Sequence, residues 1–287
     1  MKNLMSSYLY RFLKQPSTWI FMALTAINTA IACFSTGVMF GDAPWVAEIF
    51  TATSDLMQQN GVDFSGIVNV LSDEVRSIYD YTSFSMLAGT GLFLNPPVLM
   101  VFFITAYTLR EKTYGYAKNL LPLFSRNKLE TANLLMILLY SVCVTLVSAA
   151  VSLLMYRVFF VNPSGDASFG RFLMFLLIEA VLIFVLGVFI EILSELFRRP
   201  FTGVIVSLLY FTLGSSFIYS ILNSLFSGIF RRNVTVQSVT PFGCLSSFLY
   251  SDSGSFLRCG IVAFMFAVLF ILIRFYVVKN KMLKDTI

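Results

Sequence analysis

Six stretches of this sequence are each about 20 residues or longer and nearly free of charge, and no soluble core could hide them all. They run over residues 18–40, 83–109, 131–156, 172–190, 201–221 and 257–278. At about 1.5 Å of rise per residue, about 20 apolar residues cross the roughly 30 Å hydrocarbon layer of a bilayer. Lipid offers no partner to backbone N–H and C=O groups, so only helices or a closed barrel can span it. Continuous apolar runs without strict alternation favour helices. Composition agrees, with 57% hydrophobic residues, 31 Phe and only 12% charged residues in 287. The expected fold is an all-α membrane protein, one transmembrane domain over residues 1–287 with six membrane-spanning helices.

Orientation follows from the Lys and Arg of the short loops. With the N-terminus inside, one side collects Lys2, Arg11, Lys14, Arg110, Lys112, Lys118, Arg126, Lys128, Arg198, Arg199, Lys279, Lys281 and Lys284. The other has Arg76, Arg157, Arg171, Arg231, Arg232 and Arg258. Both termini are therefore expected in the cytoplasm. The net charge of +5 then reflects inner loops facing anionic lipid and a partner, and gives no case for nucleic-acid binding. The first apolar run starts late, is long and lacks a small-residue cleavage site, so it reads as a retained helix.

The segments between the runs carry more information than the runs. Residues 1–17 predict an interface helix: at about 100° per residue, Leu4, Met5, Tyr8, Leu9, Phe12 and Leu13 fall on one half of the wheel, and Arg11 and Lys14 on the other. Pro16 supplies a corner and Trp19 an interfacial anchor. Residues 41–82 form a long acidic outer loop, with residues 63–81 the best candidate there for a surface helix. In the second run Asn95, Pro96 and Pro97 interrupt the apolar pattern. A helix starting at Pro96 would reach only about 22 Å, so the span is expected to start near Ser83 and kink at the prolines, where it could line a pathway. Residues 110–130 read REKTYGYAKNLLPLFSRNKLE, basic yet dotted with Tyr and Leu, which suggests docking to a partner or to the inner leaflet. Residues 222–256 are too apolar for a free loop and too broken by Gly228, Pro241 and Gly243 for a span; a re-entrant helical hairpin on the outer side meets both limits.

Several chemistries are excluded. The chain has no His, which removes His-based triads and most imidazole metal sites. It contains neither GxxxxGK[ST] nor GxGxxG, so no nucleotide is expected to bind here through those loops. Cys33, Cys143, Cys244 and Cys259 form no CxxC pair and show no metal-ligand spacing, although Cys244 and Cys259 fall on the same outer side and leave a disulfide open. Neither an enzyme nor a metal protein is expected. Glu179 reads as the one ionisable residue inside a span, and a carboxylate there costs several kcal/mol unless paired, wet or protonated. It could line a substrate path or hydrogen-bond to a neighbouring helix. Glu191 and Glu195, with Arg198 and Arg199, sit at helical spacing and are expected to pair along one helix.

The order of an amphipathic inner helix, a first span, a long outer loop, a second span ending in Arg110-Glu111-Lys112, the REKTYGYAKNLLPLFSRNKL stretch and a Pro241-Phe242 segment before the last span resembles the six-span permease subunits of ABC-2 type transporters. The resemblance implies a coupling helix between the second and third spans, placed here on Glu111, Lys112, Tyr114, Gly115, Tyr116, Lys118, Asn119, Leu120, Leu121, Pro122, Ser125 and Arg126. It implies outer re-entrant helices over residues 221–250, and an interface helix carrying Tyr8, Arg11, Phe12 and Lys14. Glu179, Asn95 and Pro96 are the candidate substrate path. It further implies two copies of the chain with two ATP-binding cassette subunits, ATP and Mg on those partners and none in this chain, membrane lipid around it, and export from a bacterial cytoplasmic membrane. The rival readings are an ion-driven secondary transporter with Glu179 as proton site, and a non-transporting immunity or sensor subunit.

Overall fold

The computed structural model describes residues 2–40, 43–59, 96–106, 125–160, 169–196, 200–230, 235–247 and 253–285, and all its elements are helical, with no strand among the described residues. In chain order these are α1 (Lys2–Lys14), α2 (Pro16–Phe40), α3 (Pro44–Gln59), α4 (Pro96–Ile104), α5 (Arg126–Phe159), α6 (Phe169–Leu196), α7 (Pro200–Leu209), α8 (Ser215–Phe230), α9 (Pro241–Ser247) and α10 (Ser253–Asp285). A π-helical segment, Tyr210–Gly214, joins α7 to α8, and a 3₁₀ turn, Val236–Val239, precedes α9.

Among the described residues four helices are long and apolar enough to cross a membrane, in α2, α5, α6 and α10; the α7–α8 pair makes five if it counts as one broken span. Of the predicted second span only α4 and the residues just after it are described, and Pro96 opens that helix; the start near Ser83 and the kink lie outside the described residues. The surface helix expected over residues 63–81 lies outside them too, and the helix that is described in that loop, α3, comes earlier in the chain.

Helix α6 is the axis of the bundle. It is apolar on all sides and packs against α4, α5, α7, α9 and α10, which buries 67% of its apolar window, against 17% for α10 at the rim. The seam between α2 and α5 is lined by small polar residues, with Thr29 donating to Ser148 at 3.2 Å and Cys33 in contact with Ser152 at 3.5 Å. Such residues let two backbones approach in lipid, where the hydrophobic effect gives helices no reason to associate. At the end of that seam Gly37 faces the Phe159 ring so closely that a Cβ would stand 2.3 Å from it.

Within the predicted fifth span, residues 201–221, and just beyond it, the chain bends by 70° between Thr202–Thr212 and Phe217–Ile229. A π-helical turn breaks the regular hydrogen-bond ladder at Tyr210–Gly214, which is a recognised origin of sharp kinks. Side chains hold the bend: the Tyr210 and Tyr219 hydroxyls meet at 3.2 Å, and Tyr219 meets Thr240 at 2.7 Å. Asn223 accepts a hydrogen bond from the Val236 backbone N–H at 2.7 Å, fastening α8 to the 3₁₀ turn.

Candidate functional site

Two ends of the bundle differ in chemistry: the end on which α1 lies, and the far end where α8, the 3₁₀ turn and α9 cluster. At the α1 end the sequence places the coupling stretch. Glu111, Lys112, Tyr114, Gly115, Tyr116, Lys118, Asn119, Leu120, Leu121 and Pro122 lie outside the described residues, and only the C-terminal end of the stretch is described. Ser125 is exposed and extended ahead of α5, its carbonyl accepting from the Lys128 N–H at 2.9 Å, and Arg126 is the first residue of α5.

Helix α1 is seated at this point. Its buried stripe is Leu4, Tyr8 and Phe12, three residues at i, i+4 spacing, while Leu9 and Leu13 from the same half of the wheel are exposed. The expected lipid-facing half thus divides, one edge packing on protein. Phe12 meets Phe103 of α4 edge-on at 6.0 Å between ring centroids, and Phe103 stacks on Tyr140 of α5 at 3.7 Å. Gln15 donates to the Ala106 carbonyl at 3.2 Å, so the corner after α1 is tied to the last described residue before the coupling stretch. Trp19 donates to the Leu13 carbonyl at 2.7 Å and closes that corner. Arg11 is half-buried; Lys14 is exposed, its ammonium 6.0 Å from the Tyr10 ring.

Just inside this layer lies a charge cluster that sequence reasoning missed. Arg274 of α10 is 1% exposed and donates through Nη2 to Glu130 Oε2 of α5 at 2.5 Å; its Nη1 pairs with Glu191 Oε2 of α6. Glu191 therefore pairs across helices, while Arg198 and Arg199, its expected partners along α6, lie outside the described residues; it is fully buried, on the face of α6 shared with Gly187 and Ser194 that looks into the bundle. Glu179 is not the only ionisable residue within a predicted span, because Arg274 lies inside residues 257–278. The signal was available: Arg274 interrupts the run FILIRFYVV, and a lone cation in such a run demands a buried partner. Close beside the cluster, α6 and α7 touch backbone to backbone; a Cβ on Gly203 would stand 2.5 Å from Ser194 Cα.

Glu179 is 1% exposed, nearer the far end, and its Oε2 has no hydrogen-bond partner among the described residues. Of its companions in the predicted substrate path, Asn95 lies outside the described residues and Pro96 starts α4. Cys244 and Cys259 are buried neighbours and both free thiols, with Cys259 Sγ 3.9 Å from the Cys244 carbonyl. An apolar groove of about 690 Å³ opens between α6 and α10, lined by Met174, Leu177, Phe256, Leu257, Phe264 and Met265 among others, and Glu179 is not on its wall. Among the described residues no cluster of His, Cys, Asp and Glu could hold a metal ion.

A family model described as ABC-2 family transporter protein matches residues 62–214, just over half of the chain. No curated protein and no solved structure matches.

Proposed function

Because the chain belongs to the ABC-2 transporter family, we propose that it is the membrane permease subunit of an ATP-driven exporter, working as a homodimer with two separate ATP-binding cassette subunits that carry the ATP and Mg. Its termini face the cytoplasm of a bacterial inner membrane, and six spans are completed by a second span begun before α4 and by a fifth over residues 201–221. Glu111 to Arg126 form the coupling element, and residues 221–250, the rest of α8 with the 3₁₀ turn and α9, form the outer re-entrant hairpin. The cargo is amphipathic or hydrophobic, a peptide, an antibiotic or a lipid-like molecule.

The observation that carries this reading is the seat of α1. The helix packs on α4 and α5, the two helices that bracket the coupling stretch, so a partner docked there would press on both at once. ATP binding would close the partners, and their different contacts in the open and closed states would supply the free energy that moves the spans. The test is co-purification: the chain expressed with its genomic neighbours should bring down an ATPase, and Leu120→Asp with Leu121→Asp should abolish that retention. Normal retention in the double variant would refute the coupling assignment.

A second reading rests on Glu179, whose buried carboxylate oxygen without a partner would suit a proton site in an ion-coupled transporter. Purified permease in vesicles driven by a pH gradient alone separates the two, since only the second reading predicts uptake without ATP.

A further inference from the structure

We propose that Arg274 is a positioning residue that clamps the α1 ends of α5, α6 and α10 into one rigid unit, so that force applied at the base of α5 moves all three helices together. The proposal rests on the coupling role assigned above and adds the path by which the motion enters the bundle.

Glu130 is the fifth residue of α5, one turn beyond Ser125 and Arg126, where the predicted coupling element ends. Any displacement of that element reaches the helix there first. From Glu130 the connection runs through one guanidinium to Glu191, about one and a half turns from the end of α6, and to Arg274 itself on α10. Glu191 and Arg274 are essentially solvent-free and Glu130 is 6% exposed, so water cannot replace these bonds if one helix turns relative to another. Apolar contacts are non-directional and let helices slide over one another. A guanidinium fork addressing two carboxylates fixes both distance and rotation, and fixing register is the best-attested use of buried ionic groups. The small-residue seam at Gly203 and Ser194 brings the start of α7 against the same layer. One donor group shared by two acidic residues is a poor device for stability alone, because each buried ion costs several kcal/mol of desolvation; it is a good one for holding three helices in step.

The experiment places spin labels at Lys128→Cys and Leu196→Cys, exposed positions at the α1 ends of α5 and α6, with the four native cysteines changed to Ala. Distance distributions are measured on the membrane complex with its co-purified ATPase, before and after trapping with ATP and vanadate. The clamp predicts a wild-type separation constant within about 1 Å, and in Glu130→Leu/Arg274→Met/Glu191→Leu a shift of about 5 Å or a split into two populations. This triple variant is chosen because replacing a buried triad by apolar residues of similar volume tends to preserve stability. A clamp with a purely structural role predicts the wild-type distance in a folded triple variant, and that result overturns the proposal, as does a wild-type separation that itself changes on trapping. Should the triple variant not fold, Arg274→Lys carries the test, since a single ammonium cannot serve both carboxylates with the same geometry and should broaden the distribution. If no ATPase co-purifies, the transporter reading fails by itself; the clamp is then judged on the permease alone, where the variants must broaden the distribution and an unchanged width refutes it.

Discussion

The two ends of this bundle are fastened by different chemistry. At the α1 end a buried cation holds two carboxylates, a pair of rings stacks at 3.7 Å and two backbones touch at Gly203. At the far end the fastenings among the described residues are mostly neutral, the Tyr210, Tyr219 and Thr240 hydroxyls, the Asn223 side chain on the Val236 N–H and two thiols, with the Arg171 guanidinium over the Phe256 ring at 5.2 Å as a charged exception. Neutral hydrogen bonds contribute about 1 kcal/mol each and exchange readily with water, whereas a buried charge pair cannot be broken halfway. Under the proposed function this asymmetry would provide a stiff end to receive motion and an end able to rearrange around cargo.

The comparison breaks first at Arg274. Replacing it by Met leaves Glu130 and Glu191 buried and facing each other, and unfolding in detergent should show a loss of about 4 kcal/mol. A loss below about 1 kcal/mol would mean that the two ends do not differ in kind. Phe12→Ala should come next, at about 3 kcal/mol, by emptying the place against Phe103; faster hydrogen exchange confined to α1 would show that the helix undocks while the bundle survives. Gly203→Ala drives a methyl into the Ser194 backbone and should cost about 2 kcal/mol. At the far end Tyr219→Phe removes one hydroxyl from a chain of three and should cost only about 1 kcal/mol. A Tyr219 variant as damaging as the Arg274 one would reverse the assignment of the stiff end.

Much of the fold was legible because lipid imposes length and apolarity, two properties that a sequence displays directly. Helices α2, α5, α6 and α10 could be placed from their apolar runs, to within a turn for half of their ends and within two turns for the rest. The bend at Tyr210–Gly214 was not placed: Gly214-Ser215-Ser216 offered a weak kink signal within a long apolar run, but Thr240, which completes the hydroxyl chain with Tyr210 and Tyr219, lies beyond the run. The charge cluster was missed for a related reason. Glu130 looked like part of a loop, Glu191 had arginines at helical spacing, and Arg274 was passed over inside an apolar run. Only the packing of α5, α6 and α10 brings the three together. The helix of residues 2–14 could be read, but not which half of its apolar face meets protein; the choice of Leu4, Tyr8 and Phe12 depends on where Phe103 lies.

Glu179 sharpens the comparison most finely, because it is a charge-bearing residue set toward the neutral end. Its Oε2 is buried with no hydrogen-bond partner among the described residues, so Glu179→Gln gives up little bonding at that atom and sheds the desolvation cost of a carboxylate. The amide introduces N–H donors that need acceptors, and the two effects oppose each other. The net change in stability should therefore stay within about 1 kcal/mol, the scale of one hydrogen bond, against several for Arg274. Function should respond differently. If the carboxylate lies on the cargo path, the Gln variant should keep its fold and its partner yet lose export of cationic amphipaths while still exporting neutral ones, measured on inverted vesicles with a matched pair of dyes. Equal export of both dyes, at wild-type rates, would make Glu179 a packing residue and leave the far end neutral in function as well as in bonding. A loss of more than about 3 kcal/mol would instead mean that the carboxylate is held by a bonded partner, as Glu130 and Glu191 are, and that both ends are built alike.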